Sequence, residues 1–189
     1  MIAITLTYIQ DILKEHFRNE FRTPDKAVLS NIVKADGSGA QNVDGKIVFF
    51  LVSLDDESTL KNSLSRSSNQ DNSSFIQKSP NLHLNLQLLF CANFDSSLYV
   101  EGLSYLSSLI RFFQAHKILE LDPPNNSHAN KIRLSFELCK LDYAQLSHLW
   151  SAIGSKLMPS VLYQVRLVTF DELPVERMTP LIKETATQT

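Results

Sequence analysis

Side chains that could do chemistry are few in this chain, and they are scattered. The five histidines, His16, His83, His116, His128 and His148, show no HxH, HExxH or Cys/His pairing at metal-ligand spacing. Most fall on the polar side of their predicted element, so they read as surface histidines. Cys91 and Cys139 each sit in a strand-like apolar run, where a thiol behaves as a small buried hydrophobe and no disulfide is expected. Asp55, Asp56 and Glu57 form an acidic cluster without the glycine-spaced oxygen ligands of a calcium loop, so it reads as a solvated turn. Gly37-Ser38-Gly39 lacks the flanking glycines, the lysine and the following helix that a nucleophile elbow or phosphate loop requires. The Asn-x-Ser triplets at Asn72 and Asn125 match the glycosylation sequon. No basic n-region opens MIAITLTYIQDILKEH, so that match is expected to be coincidental. The expectation is no catalytic site, no metal and no cofactor. A small hydrolase or transferase would need its groups to converge from distant positions.

Composition narrows the class further. With 189 residues, 43% hydrophobic and 20% charged, the chain can bury a sizeable core, and one domain is expected. The formal net charge of −2 comes with lysines and arginines dispersed along the chain. That leaves no basic stripe for a phosphate backbone or anionic lipid, so neither nucleic acid nor membrane is an expected partner. No apolar run approaches the roughly 18 residues of a membrane span, and the chain is expected to fold in the cytoplasm.

The elements that would position any site read as follows. Ile9, Ile12, Leu13, Phe17 and Phe21 recur at three and four residue spacing, predicting a helix from about Ile4 to Phe21. Ala27 to Val33 reads as a short strand, and KIVFFLVSL (Lys46 to Leu54) as a central strand covered on both faces. Asp55 to Pro80 is rich in Ser and Asn, reading as an extended hairpin, a partner-binding arm or, as the preferred expectation, disorder. Leu82, Leu84, Leu86 and Leu88 alternate with His83, Asn85 and Gln87 along a half-buried strand. Tyr99, Leu103, Leu106, Ile110 and Phe113 mark a helical seam, broken by Asp122 to Asn126. Lys131 to Cys139 alternates with Ile132, Leu134, Phe136 and Leu138 inward. Asp142 with Gln145 predicts a capping box for a helix from Tyr143 to Ile153, Gly154 its left-handed end, and Pro159 a block to its resumption. Val161, Tyr163, Val165 and Leu167 then alternate along a last strand. The sum is α+β: four to six strands, mostly antiparallel, with helices packed on the sheet.

Two aromatic positions stay open at this level. Trp150 can be a core anchor or an interface hot spot. Phe112, about 100° around the helix from Phe113, can be a subunit contact or the flank of a wide buried face.

Taken together, LNLQLLFCANF (Leu84 to Phe94), YVEGLSYLSSLIRFFQ (Tyr99 to Gln114) and LSHLWSAIGSKLMPSVLYQVRLVTFDE (Leu146 to Glu172) resemble one family. It is the cap, or tail-terminator, family of phage-tail-like extracellular contractile injection systems. The matching features are the helical entry at Tyr99, Phe112 to Gln114, Leu149-Trp150, Gly154 and Pro159 to Tyr163. The resemblance implies a single tail-terminator-like domain over residues 1–173, with a Ser/Asn-rich loop at 55–80 and a flexible tail at 174–189. It implies a non-catalytic ring, a hexamer, that ends the inner tube and sheath distal to the baseplate. The partners implied are copies of itself, the tube protein and the sheath protein, in a particle assembled in the bacterial cytoplasm and then released. Interface residues expected on this footing are Phe112, Trp150, Pro159, Ser160, Tyr163 and Arg166. The strand Val161 to Phe170, with the tail from Pro174, is expected to offer an edge for strand addition. The insert at Asp55 to Pro80, and a C-terminus shorter than that of longer relatives, depart from the family. A different tail completion or connector protein is the nearest alternative.

Overall fold

The computed structural model describes residues 1–56, 66–68, 74–77, 83–121, 132–169 and 178–180. Expectations for Glu57, Leu82, the Asn72 and Asn125 triplets, His128, the Asp122 to Asn126 break, Phe170 and Pro174 fall outside the described residues. Six strands make the main sheet: β1 (Ala27–Leu29), β2 (Lys46–Asp56), β5 (His83–Asn93), β6 (Ile118–Leu121), β7 (Ile132–Cys139) and β8 (Ser160–Thr169). Their order across the sheet is β1-β2-β5-β8-β7-β6. The β1–β2 pair is parallel and every other pair is antiparallel. A second, small antiparallel sheet joins β3 (Arg66–Ser68), β4 (Ser74–Gln77) and β9 (Met178–Pro180). Strands therefore form inside the Ser/Asn-rich insert, where disorder was expected, and β9 lies within the stretch expected to be a tail.

The period-2 alternation of the strands sorts their side chains onto two faces. One face carries Ile47, Phe49, Leu86, Leu88, Phe90, Leu134, Phe136, Tyr163, Val165 and Leu167, all in the larger hydrophobic core. Helices α1 (Ile2–Phe21) and α2 (Tyr99–Ala115) cover it with Ile9, Leu13, Phe17, Tyr105, Leu109 and Phe113. Rings run through this layer without a break: Phe49 stacks on Phe90 at 5.0 Å, Phe90 meets Phe113 at 5.5 Å, and Phe113 stacks on Phe136 at 4.3 Å. The other face packs Val48, Leu89, Cys91 and Leu162 against Trp150 of α3 (Tyr143–Ile153), with Ile32 and Val43 closing the side. As the sequence predicts, Asp142 and Gln145 form a reciprocal capping box, and Gly154 ends α3 at φ 76°.

Three expectations need correction, and one strand was not foreseen. On α2 the buried positions are Gly102, Tyr105, Leu106, Ser108, Leu109 and Phe113, so the seam is rotated from the one the spacing suggested. Tyr99 is 50% exposed and Leu103 36%, because Gly102 is the residue that meets Phe94. Leu138, expected inward, is 54% exposed, because it lies past the stretch of β7, Ile132 to Ser135, that β6 pairs with. Strand β6 escaped the sequence reading, although Ile118 to Leu121 alternates. Finally, β8 lies inside the sheet between β5 and β7. Its main-chain groups are taken up by both neighbours, so it offers no edge, and the sheet ends at β1 and β6.

Candidate functional site

Acid–base side chains converge at the seam between α1 and α2. His16 Nε2 lies 2.8 Å from Ser108 Oγ and 3.2 Å from a Glu20 carboxylate oxygen. The Ser108 hydroxyl donates to that same oxygen, and Arg111 bonds the other one. Because the serine proton goes to Glu20, Ser108 Oγ accepts from His16, which fixes the proton of the neutral ring on Nε2. Serine, histidine and carboxylate suggest a nucleophile relay, but the roles are reversed here. The imidazole donates to the hydroxyl and cannot act as its base, and Ser108 is fully buried, with no approach for a substrate. The arrangement fastens α1 to α2. Burial, more than any charge, lowers the His16 pKa below its usual value. The hydrogen bond from Ser108 leads in holding the Glu20 carboxyl below its usual range.

No other chemistry gathers among the described residues. No group of three or more His, Cys, Asp or Glu there could hold a metal ion, and no helix there is long and apolar enough to cross a membrane. Both cysteines are free, and burial pushes the Cys91 thiol up to about 12.

Surfaces suited to assembly are better developed. At the start of α2, Leu98, Tyr99, Val100 and Leu103 form an exposed apolar run, with Val100 75% accessible. Asp95 caps the preceding turn from Ser96 to Leu98, and Lys26 bonds Glu101 at 3.3 Å, so the run is held rigidly. Beside it, Phe21, Val100 and Leu103 line a shallow groove of about 310 Å³, with Glu20 and Arg111 at its rim. A second hollow of about 340 Å³ lies on the opposite layer, lined by Ile32, Phe50, Val52, Leu149 and Ile153. Sequence reasoning missed the α2 run. The signal was Leu98-Tyr99-Val100 itself, since three consecutive large apolar residues at a helix start, about 100° apart, cannot all face one sheet.

The six residues expected at an interface are dispersed. Trp150 is 3% exposed and Tyr163 4%, which places both inside the protomer, in the smaller and larger core respectively. Their rings leave almost no area for a neighbouring copy. Phe112, Pro159 and Ser160 are half-buried, and Arg166 is exposed on the face opposite Tyr163. Phe112 stands between two histidines, 4.8 Å from the His16 ring and 4.6 Å from that of His116.

Comparison with known proteins gives one family. Its model, for the Pvc16 N-terminal domain, matches residues 5–184. None of the curated proteins matches the chain. Among solved structures, the fold is similar to the sheath/tube terminator, in its extended state, of the extracellular contractile injection system PVC. There the TM-score is 0.56 at 14% identity, covering 93% of this chain and 63% of that one. It is also similar to the tube-terminating cap of the anti-feeding prophage, with a TM-score of 0.51 at 16% identity, covering 95% of this chain and 60% of that one. The chain thus spans less than two thirds of the length of either neighbour. At such identities the likeness is one of fold, with the α+β sheet and its packed helices held in common. The family model reaches from α1 past β9, and on that match the chain belongs to the Pvc16 N-terminal domain family.

Proposed function

We propose that this chain is a non-catalytic cap that ends the inner tube and sheath of a contractile injection system, distal to the baseplate, as a closed ring of six copies. The family match over residues 5–184 carries this reading, supported by the terminator and cap among its fold neighbours. A terminator must bind the last tube layer firmly while presenting a different surface outward, so that no further subunit stacks. The rigid apolar run at Leu98 to Leu103 gives desolvation energy to such a contact at about 25 cal/mol per Å² buried. In a ring each copy repeats one heterologous interface, so weak patches become decisive when every contact is repeated. Phe112, Pro159, Ser160 and Arg166 are the expected residues left with surface to contribute to it. Assembly takes place in the bacterial cytoplasm, with tube and sheath proteins as partners and neither nucleic acid nor membrane involved.

The test is negative-stain electron microscopy of injection particles from cells lacking the gene, with tube length measured against the parent strain. Long, irregular or unsheathed tubes are expected. Particles of normal length with normal caps would overturn the capping role and favour a connector elsewhere in the particle.

A further inference from the structure

The strand registers give the two ends of the main sheet different surroundings. At one end β5 stops at Asn93, opposite Lys46, the first residue of β2, and β8 opens at Ser160, opposite Cys91. Strand β7 finishes there as well, with Cys139 opposite Leu162. The connections β5–α2, β7–α3 and α3–β8 therefore all lie at this end. The other end serves the Ser/Asn-rich insert and the small sheet, because β2 leaves it at Asp56, β5 enters at His83 and β8 leaves at Thr169.

Exposed apolar side chains follow this division. Of the eleven large ones exposed among the described residues, seven belong to the first end. The four of the Leu98 to Leu103 run follow β5. Leu138 and Tyr143, the latter 93% accessible, flank the β7–α3 turn, and Leu157, 64% accessible, precedes β8. A main-chain hydrogen bond from Ala92 to the Pro159 carbonyl, 2.9 Å long, ties the α2 and α3 sides together across the sheet end. The seven side chains expose on the order of 800 Å², the share that one partner gives to a standard-size interface and more than the usual apolar patch of a monomer. Ion pairs at this end close within the protomer: Asp25 holds Lys14 and Lys46 at 2.9 Å each, and Lys26 takes Glu101. Apolar burial is thus what this end has to offer a partner. A closed ring needs two different patches on every copy, one for each neighbour; a single end surface suits stacking along the ring axis instead.

We propose that this end of the sheet is the surface the cap sets on the last ring of the inner tube, its occupant an apolar rim of the tube subunits, while the insert end points away from the tube. The inference rests on the capping role and names the orientation and chemistry of that contact.

Co-sedimentation of the purified chain with sheath-free inner tubes, taken from cells lacking the gene, tests it. Val100→Glu and Tyr143→Glu put a carboxylate in the first turn of α2 and of α3, where the helix dipole favours it, so both are expected to melt like the parent. Each is expected to weaken tube binding by about tenfold or more. Leu54→Glu, at the insert end of β2 and 45% exposed, is expected to bind like the parent. Parent-like binding by Val100→Glu and Tyr143→Glu, or an equal loss in Leu54→Glu, would overturn the proposal and leave the capping role standing. A parent chain that does not sediment with tubes would overturn the capping role, and this occupant with it. Sedimentation velocity of the free chain decides against the other occupant: a dimer that Tyr143→Glu dissociates would give the surface to a second copy and overturn the proposal.

Discussion

Gly102→Ala sets two known effects against each other, and the structure decides which wins. Gly102 is buried on α2, where alanine is favoured over glycine by about 1 kcal/mol through helix propensity. A Cβ placed there, however, comes 2.9 Å from Phe94 Cδ2, 3.0 Å from Cγ and 3.2 Å from Cβ. Two of these atoms belong to the root of the side chain, so a ring rotation does not clear them and the backbone near Phe94 must move. Phe94 is also held from elsewhere, stacked on Tyr105 at 5.7 Å with Lys26 Nζ 5.2 Å from its ring centre. Lys26 in turn bonds the Gly45 carbonyl at 3.0 Å. Overpacking of this kind costs about 1–3 kcal/mol, which exceeds the propensity gain. The expected outcome is a net destabilisation of about 1 kcal/mol, read from urea denaturation followed by circular dichroism. In a Phe94→Ala background the Cγ and Cδ2 contacts vanish, and the same glycine substitution is expected to stabilise by up to about 1 kcal/mol. Equal effects in the two backgrounds, or a more stable Gly102→Ala single variant, would refute the steric argument. The contact bears on the proposed docking surface because it sets the rotation of α2 and so the direction in which Tyr99 and Val100 project.

Three further outcomes are expected. Thr5 is fully buried and its hydroxyl finds no partner among the described residues, so Thr5→Val, nearly the same shape, should raise stability by about 1 kcal/mol; a lower melting temperature would contradict this. Trp150→Ala should cost about 3–5 kcal/mol by opening a cavity against Leu89, Cys91 and Leu162, whereas Trp150→Phe should cost less, since the indole N–H has no partner among the described residues to lose. An unchanged melt for Trp150→Ala would remove Trp150 from the core. Cys91, with its thiol pushed up to about 12 by burial, should resist iodoacetamide until the chain unfolds, and Cys139, which is less buried, should react first. Peptide mapping after brief alkylation would show the order.

What the sequence determined by itself was local. Alternation in Leu84 to Leu88, Ile132 to Phe136 and Val161 to Leu167 selected the inward face of three strands, because side chains on a strand have only two directions. The Asp142–Gln145 box and Gly154 bounded α3, because a cap is satisfied within a few residues. Motifs across Leu84 to Glu172 were enough to suggest the family, and the match over residues 5–184 shows it. The rotation of α2 was not legible. Tyr99, Leu103, Leu106, Ile110 and Phe113 form as good an apolar stripe as the one used, and the choice fell to Gly102, whose role is an absence of side chain beside Phe94. Nor could a one-dimensional pattern give strand order, which put β8 inside the sheet and Tyr163 in its core. The His16–Ser108 hydrogen bond joins residues 92 positions apart. Such a pairing exists only once the sheet has brought α1 and α2 side by side, and so the polar seam belongs to the tertiary structure alone.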